Sequence, residues 1–448
     1  MQDSNARPPG MATVAVAFSG GRDSLALLHA TVRAAKDCGA QVVALHVHHG
    51  LMAEADAWAQ SAIRLCGRWQ RAGWPLRLRW HRLDSAPARG DSIEAWARRE
   101  RYAALAQLAR EEGATLLLLA QHRRDQAETV LLQALRGAGP RGLAAMPRVV
   151  DRHGLCWARP WLDQPREAIE AYVRRHRLKP IDDPSNLDPR FARSRLRLQV
   201  WPALCAAFED ADITLTQVAR RAQEADAALA ELAAIDLAAS ATANGLQRPR
   251  WLLLSAARRA NALRAWLAAL TAQTTHEGRG APEALVQRLL TEWPERANGR
   301  WPAGAGRELV SYRGVLRLAV ELQPAGQAQR VDLSQAGRVS LPAWAGEYRV
   351  EPVDQGGVPP CALREAELRP RSGGEQFQRA PNTPPRSLKK QYQLAGVAAD
   401  LRQGPLVWAD GQLVYVPGLG IDARVVAPAG TPQLRLQWLP NQRAPRAG

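Results

Sequence analysis

The first part of the chain alternates short apolar runs with longer segments whose apolar residues recur at helical spacing. The short runs predict β-strands at residues 13–18, 41–48, 76–83 and 114–120. The longer segments predict helices at residues 24–35, 53–72, 91–112, 125–136 and 165–176. Strands that alternate with helices favour a parallel sheet covered on both faces. The pattern therefore predicts a doubly wound α/β domain.

The pattern changes after Trp201. Apolar, alanine-rich stretches at residues 215–239, 252–270 and 282–293 predict a small helical domain. From residue 331 onward, short strand-like pieces alternate with glycine and proline, which predicts a smaller, strand-rich α+β domain. The predicted organisation is an α/β domain at residues 1–210, a helical domain at 211–323 and a C-terminal domain at 330–448, with a linker near 324–329.

The net charge of the chain indicates what kind of partner it binds. The chain carries a formal net charge of +17, which points to a polyanion such as nucleic acid. A composition rich in alanine and arginine offers a second explanation, in which the arginines only solvate the surface.

The five cysteines are scattered and form no CxxC pair, so zinc and iron–sulfur ligation have no spacing to support them. A sparse cysteine content fits a reducing compartment. The N-terminus contains no apolar run like that of a signal peptide, and no stretch reaches the ~20 apolar residues of a membrane span. We therefore expect a cytoplasmic protein without a membrane partner.

A glycine pair follows the first predicted strand, at the sheet edge where ligands bind in open parallel sheets. It lies in the sequence SGGRDS, whose members are Ser19, Gly20, Gly21, Arg22, Asp23 and Ser24. The glycines let the backbone approach a phosphate, and the N-terminus of the following helix favours an anion. Asp23 on its own would repel phosphate, so we interpret it as a ligand of a bridging Mg²⁺.

This loop differs from two other phosphate-binding motifs. It lacks the GK[ST] ending of a Walker A loop and the GxGxxG of a dinucleotide fold. It resembles instead the loop of the PP-loop family, which cleaves ATP between the α- and β-phosphates and activates a substrate as an adenylate. The resemblance implies that residues 19–24 bind ATP.

Polar residues end two further predicted strands at the same edge. His46, His48 and His49 could hold a metal, but no further ligand lies nearby in the sequence. Scaffolding of the loop, or contact with the ribose or adenine of ATP, fits these histidines better. Asp125 and Glu128 follow the fourth strand and lie on one helical face. Two carboxylates beside a triphosphate would hold a metal or a cationic substrate. An acidic first turn that complements the helix dipole is the alternative.

Arg101 lies in the helix that precedes the fourth strand, at helical spacing with Ala97, Leu105 and Leu108. An arginine at or beside a core-facing position needs a carboxylate or phosphate partner. We therefore expect Arg101 to act in the site, whereas an exposed basic helix face is the alternative.

Four segments together resemble the tRNA(Ile)-lysidine synthetase family: IEAWARRERY at 93–102, QHRRDQAET at 121–129, DDPSNLDPRFARSRLR at 182–197 and the stretch 369–422. The resemblance implies a two-step reaction. ATP adenylates the C2 oxygen of the wobble cytidine in the isoleucine tRNA with a CAU anticodon. The ε-amine of free L-lysine then attacks C2 and expels AMP, which gives lysidine and changes the codon that the tRNA reads.

The resemblance also suggests residues for each step. Asp125 is expected to accept a proton from the lysine ammonium, with Glu128 or Asp56 assisting lysine binding. Arg101 would stabilise the adenylated intermediate, and Mg²⁺ near Asp23 would offset the charge of the leaving pyrophosphate.

Two basic clusters are predicted to bind the tRNA. Arg193, Arg195 and Arg197 follow a turn-rich loop and are candidates for contact with the anticodon loop. A second cluster in the C-terminal domain suits the phosphates of the acceptor stem. Its members are Arg386, Lys389 and Lys390. A homodimer is left open.

Three positions depart from the family's pattern: Arg124 replaces an acidic residue, Met52 an arginine and Ser194 an asparagine. Arg124 exchanges a negative charge for a positive one near ATP and lysine. Two alternatives therefore stay open. One is another PP-loop tRNA modifier, such as a thiolase, for which the chain lacks a CxxC pair. The other is a non-catalytic tRNA-binding relative.

Overall fold

The computed structural model describes residues 12–48, 50, 55–83, 93–152, 154–181, 188–272, 282–304, 306–320 and 326–441. Contacts between residues group the chain into two compact units, Met1–Leu229 and Ala230–Gly448. The three-domain division at residues 1–210, 211–323 and 330–448 stays a prediction. In the described ranges no helix is long and apolar enough to cross a bilayer.

A six-stranded sheet forms the centre of the first unit. Its strands are β1 (Thr13–Ala17), β2 (Gln41–His48), β3 (Leu76–Arg82), β4 (Leu116–Leu118), β5 (Val149–Arg152) and β6 (Leu155–Ala158). Their order across the sheet is β3-β2-β1-β4-β6-β5, and every neighbouring pair is parallel except β5 with β6. The four predicted strands are confirmed. The edge hairpin β5–β6 was not predicted, because its strands are only four residues long.

Helices connect and extend these strands. They are α1 (Arg22–Cys38), α2 (Ala55–Arg71), α3 (Ile93–Glu111), α4 (Arg123–Ala134), α5 (Pro140–Leu143), α6 (Arg166–Arg175), α7 (Ala192–Arg195), α8 (Trp201–Ala207) and α9 (Ala211–Ser240). A π-helical turn, Leu196–Val200, lies between α7 and α8. The predicted helices are present with shifted ends, and the predicted helix start at Asp91 lies outside the described residues.

Neighbouring residues of a strand point to opposite faces of a sheet, so β1 contributes to two cores. Ala15 packs on one face, in the core that contains Leu105 of α3. Val16 packs on the other face, with Leu28 of α1 and Ala62 of α2. Helices therefore cover both faces, which confirms the doubly wound architecture.

The strand order reverses at β1. This strand pairs with β2 on one side and with β4 on the other, so the connections that leave β1 and β4 diverge. Open α/β sheets bind ligands in the crevice at such a switch point, beyond the carboxyl ends of the strands. The loop at residues 19–24 and the start of α4 both lie at this edge.

The second unit begins with a mixed section. Its helices are α10 (Arg248–Leu252), α11 (Ala256–Ala272) and α12 (Glu283–Glu292), and its strands are β7 (Ala241–Thr242), β8 (Gly245–Gln247), β9 (Gly299–Gly304), β10 (Arg307–Tyr312) and β11 (Val315–Leu318). The buried Trp251, Trp293 and Trp301 join helices and sheet in one core. The helical character is confirmed. The five-stranded sheet was not predicted, because its strands are only two to six residues long.

The C-terminal section is strand-rich, as predicted. Its strands are β12 (Gln329–Val331), β13 (Gly337–Leu341), β14 (Gly346–Val353), β15 (Ala366–Arg369), β16 (Gln376–Phe377), β17 (Arg386–Ser387), β18 (Leu406–Ala409), β19 (Gln412–Val416), β20 (Gly420–Ile421) and β21 (Gln433–Pro440). They form sheets of order β12-β15-β18-β19-β20, β13-β14-β21 and β16-β17. One helix, α13 (Leu388–Ala395), follows β17.

Candidate active site

The loop between β1 and α1 can accept only glycine at its first turn. Gly20 has a φ of 90°, in the left-handed region that favours glycine. The Gly20 carbonyl accepts a hydrogen bond from the Ile181 amide at 3.0 Å. A Cβ atom on Gly20 would lie 2.7 Å from Ile181 Cδ1. Ile181 therefore packs directly on the loop.

Two serines hold the rest of the loop. The hydroxyl oxygens of Ser19 and Ser24 lie 3.0 Å apart, and the Ser24 hydroxyl donates to the Gly21 carbonyl at 3.0 Å. Gly21 precedes the first turn of α1 and provides no side-chain cap. The first amides of α1 therefore remain available to an anion, with the helix dipole in its favour.

Arg22 and Asp23 connect the loop to neighbouring elements. The Arg22 guanidinium donates to Asp23 Oδ1 at 3.1 Å and to Glu170 Oε1 at 2.7 Å, so two carboxylates engage this side chain. Asp23 Oδ2 lies 3.8 Å from His122 Nε2. His122 Nε2 in turn lies 3.5 Å from Asp125 Oδ2, which also accepts the His122 backbone amide at 3.1 Å. The buried His122 thus lies between α4 and residues 19–24, which we call the phosphate loop. His122 follows β4 at the edge of the sheet where ligands bind, which we call the ligand edge. This position in the sequence could have identified it as a site residue.

Three arginines surround the carboxylates of α4. Glu128 is fully buried, and Arg197 Nε donates to its Oε1 at 2.7 Å. Arg197 Nη2 also donates to Asp125 Oδ1 at 2.8 Å. Arg124 Nε lies 3.4 Å from Glu128 Oε1, and Arg193 Nε lies 3.6 Å from Oε2. We call Arg124, Arg193 and Arg197 the arginine clasp.

The clasp keeps its central guanidinium charged. Burial acts to lower the pKa of Arg197, but the hydrogen bond and charge of Glu128 outweigh it, with further contributions from Asp125 and Asp23. The pKa of Arg197 is therefore raised. The pKa of Arg124 is lowered, mainly by desolvation, and its guanidinium lies 5.0 Å from the ring centre of Trp201. Arg124, whose positive charge departs from the family's pattern, thus contacts the carboxylate of Glu128 and the ring of Trp201.

The donor set suits a magnesium ion only together with substrate. Within the described ranges no group of three histidine, cysteine, aspartate or glutamate side chains could hold a metal. Mg²⁺ in nucleotide sites is usually held by one or two carboxylates and by substrate phosphates. Asp23 is partly exposed beside the loop and fits that arrangement.

The histidines at the end of β2 have partners in the protein. His46 is buried, and its Nδ1 lies 2.9 Å from the Phe18 carbonyl oxygen. His48 Nε2 lies 3.0 Å from Asp56 Oδ1. His49 lies outside the described residues. The contact of His46 ties β2 to the residue that leads into the phosphate loop.

The structure brings together some of the expected lysine-binding residues and not others. Asp125 and Glu128 lie on one face of α4, as their spacing predicted, whereas their shared contact with Arg197 was not predicted. Asp56 is exposed, and its ion-pair partners in the described part of the chain are His48 and Arg82. A lysine-binding role for Asp56 therefore stays a prediction.

Arg101 is exposed on α3, so the expectation that it lies at or beside the core-facing stripe is wrong. The core-facing residues of α3 include Trp96 and Tyr102 on either side of it in sequence. The pKa of Arg101 is lowered, first by desolvation and then by the charges of Arg98 and Arg193. Its guanidinium therefore lies within electrostatic reach of the arginine clasp, and its catalytic role stays a prediction.

The candidate tRNA-binding residues divide into two groups. Arg193 and Arg197 belong to the clasp, whereas Arg195 is exposed. The C-terminal cluster, on β17 and the start of α13, is fully on the surface. Its members are Arg386, Lys389 and Lys390.

Residues 3–204 match the PP-loop domain family, and residues 366–438 match the TilS substrate C-terminal domain family. Together with the switch-point loop, the first match defines an ATP-using protein of the PP-loop class. The tRNA(Ile)-lysidine synthase of Ralstonia nicotianae is 42% identical over 96% of this chain and 93% of the relative. That of Chromobacterium violaceum is 39% identical over 98% of this chain and 97% of the relative. The chain belongs to the tRNA(Ile)-lysidine synthase family.

A solved structure, the U34-tRNA thiolase NcsA of Methanococcus maripaludis with its [4Fe-4S] cluster, is also similar. Its sequence identity is 14% and its TM-score 0.41, with 48% of this chain and 72% of that chain covered. At this level the likeness adds nothing to the family assignment.

Replacing Gly20 by alanine should weaken ATP binding by about tenfold or more, because the left-handed backbone and the contact with Ile181 cost on the order of 1–3 kcal/mol. Gly39→Ala is the matched control, since its φ of 68° is also in the left-handed region but an added Cβ would meet no described atom within 4 Å. Titration with a fluorescent ATP analogue measures both affinities. Equal losses in the two variants would show that the Ile181 contact does not set the requirement for glycine.

Proposed function

We propose that the chain ligates free L-lysine to C2 of the wobble cytidine in the isoleucine tRNA with a CAU anticodon, converting ATP to AMP and pyrophosphate. Membership of the tRNA(Ile)-lysidine synthase family supports this reaction. The observation that carries the proposal is the pair Asp125 and Glu128, which shares one cation beside the phosphate loop. A carboxylate pair that holds a guanidinium also suits the ammonium of lysine.

The first step is adenylation of the cytidine. The phosphates of ATP would lie at the N-terminus of α1, where the loop amides favour an anion. The C2 oxygen of cytidine attacks the α-phosphorus, and the bond to pyrophosphate breaks. Asp23 would hold Mg²⁺ together with the phosphates, and the ion would neutralise negative charge there. Arg101, near Arg193, would attract the negative charge of the adenylate.

The second step is attack by the lysine amine. An ε-ammonium ion has a pKa of about 10.4, so it must lose a proton before its nitrogen can attack. Asp125, whose carboxylate accepts the amide of His122, would accept that proton. The nitrogen then forms a bond to C2, the C2–O bond breaks, and AMP leaves with the electron pair.

We infer that the lysine ammonium replaces the Arg197 guanidinium. The Arg197 guanidinium contacts both carboxylates, at 2.8 Å from Asp125 Oδ1 and 2.7 Å from Glu128 Oε1. The lysine ammonium could not contact the same two oxygens while Arg197 stays in place. Displacement of Arg197, for example onto a tRNA phosphate, would open Asp125 and Glu128 to lysine and link tRNA binding to lysine binding.

The exposed basic residues supply the contacts to tRNA. Arg195 lies two residues from the clasp, so it would approach the anticodon loop. The C-terminal cluster would bind phosphates farther along the tRNA, through charge rather than base recognition. Free L-lysine, Mg²⁺ and a homodimer remain parts of the proposal.

The proposal predicts lysidine in the CAU isoleucine tRNA after incubation with ATP and labelled lysine, followed by nucleoside analysis. In a single turnover, Asp125→Asn should form lysidine about 100-fold more slowly or worse, because the amine loses its proton acceptor. Asp151→Asn, an exposed carboxylate on β5, is the control and should keep the wild-type rate. ATP consumption without lysidine would refute the reaction, and a near wild-type rate for Asp125→Asn would refute the assignment of the acceptor.

Replacing Lys389 and Lys390 together by alanine should flatten the dependence of tRNA affinity on salt. Each phosphate that the protein no longer neutralises lowers the slope of log affinity against log salt by about 0.7–0.9. Lys36→Ala with Arg110→Ala removes the same charge from exposed positions on α1 and α3 and is the control. An unchanged slope in the lysine variant would exclude the C-terminal cluster from the tRNA interface.

A further inference from the structure

A cavity of about 450 Å³ lies beside the phosphate loop, on the sheet face that α1 and α2 cover. Its apolar lining includes Phe18, Leu25 and Ala62. Gly20 and Ile181, which packs on it, line the end of the cavity next to the loop. Four basic residues border the cavity: Arg64, Arg68, Arg71 and Lys179. We call this cavity and its cations the basic groove.

The cations of the basic groove have no carboxylate partner among the described residues. Within the described residues none of the four forms an ion pair with a carboxylate, and the Arg64 guanidinium donates only to the Ser61 hydroxyl, at 2.9 Å. All four side chains are exposed. By contrast, the nearby Arg22 and Arg166 both pair with Glu170. A group of unpaired cations around a concave surface attracts a polyanion, which releases counterions when it binds.

The spacing of the arginines favours an extended ligand. Arg64, Arg68 and Arg71 lie at positions i, i+4 and i+7 and therefore share one face of α2. At 1.5 Å per residue they span about 10 Å along the helix. A row of that length suits consecutive phosphates of a nucleic-acid strand better than a single anion, as in grooves that track a backbone.

The direction of this row separates it from the ATP site. The helix α2 runs from the end of β2 back to the start of β3, and these strands are parallel. Arg71, its last residue, therefore lies toward the edge opposite the ligand edge. The triphosphate of ATP lies at the N-terminus of α1 in the proposed function and leaves the row of arginines without phosphate. The occupant must reach the phosphate loop and also extend away from it.

We propose that the basic groove binds the sugar–phosphate backbone of the tRNA substrate and guides the strand past the ATP site. This inference rests on the proposed tRNA substrate. The Arg64, Arg68 and Arg71 side chains bind successive phosphates, and Lys179 binds from the facing segment. These contacts carry no sequence information. They hold the nucleic acid on the catalytic unit, independently of the C-terminal cluster.

The test compares Arg68→Ala/Arg71→Ala with a charge-matched control, Arg110→Ala/Arg152→Ala, in the full-length protein. The control residues are exposed on α3, which covers the opposite sheet face, and on the edge strand β5. The affinity for the CAU isoleucine tRNA is measured at several salt concentrations, and the affinity for ATP is measured without tRNA. We expect the groove variant to bind tRNA roughly tenfold more weakly, with a slope reduced by about 1.4 and with unchanged ATP affinity.

Equal tRNA affinity and slope in the groove variant and the control would overturn the proposal. Loss of ATP affinity with unchanged tRNA affinity would also overturn it, because the cavity would then belong to the nucleotide. Lysidine formation by the wild-type protein, measured in parallel, distinguishes a failure of the groove proposal from a failure of the proposed reaction. If the groove variant loses tRNA affinity while the wild type forms no lysidine, the groove stands and the proposed reaction fails.

Discussion

Burying an ionised carboxylate costs several kcal/mol unless cations and hydrogen bonds surround it, and the site is organised around such a group. Glu128 is fully buried, and the arginine clasp brings it guanidinium groups from α4 itself and from residues 193–197. The same ion pairs hold residues 193–197 against α4. Because Arg197 also holds Asp125, the two carboxylates and residues 193–197 form one network of ion pairs. Loss of one partner would leave an uncompensated buried charge.

The strand order places this network beside the phosphate loop. The ends of β1 and β4 are adjacent, so Asp23 from the first loop and Asp125 from α4 meet at His122 although they are far apart in sequence. The nucleotide site and the carboxylate pair are therefore parts of one crevice. An adenylate formed at the loop would lie within reach of an amine bound by the carboxylates.

The sequence allowed prediction of the features that depend on local order. The strand–loop–helix context identified residues 19–24, and helical spacing paired Asp125 with Glu128. Features that depend on contacts between residues far apart in the sequence could not be predicted from it. The capture of Arg197 by α4, the pairing of Asp56 with His48, and the exposed position of Arg101 each follow from tertiary packing. Arg124 carries a positive charge where the family has an acidic residue, and its contacts with Glu128 and Trp201 show how the site accommodates that charge.

The central claim is that Arg197 occupies the position of the lysine ammonium. Equilibrium binding of labelled lysine to Arg197→Met, in the presence of ATP, tests it most directly. Arg195→Met is the control, because Arg195 is exposed and, in the described part of the chain, donates to the Pro189 carbonyl and to no carboxylate. We predict that Arg197→Met binds lysine more tightly than the wild type, whereas Arg195→Met does not differ. Weaker lysine binding by Arg197→Met would contradict the claim, because Arg197 would then help to hold lysine.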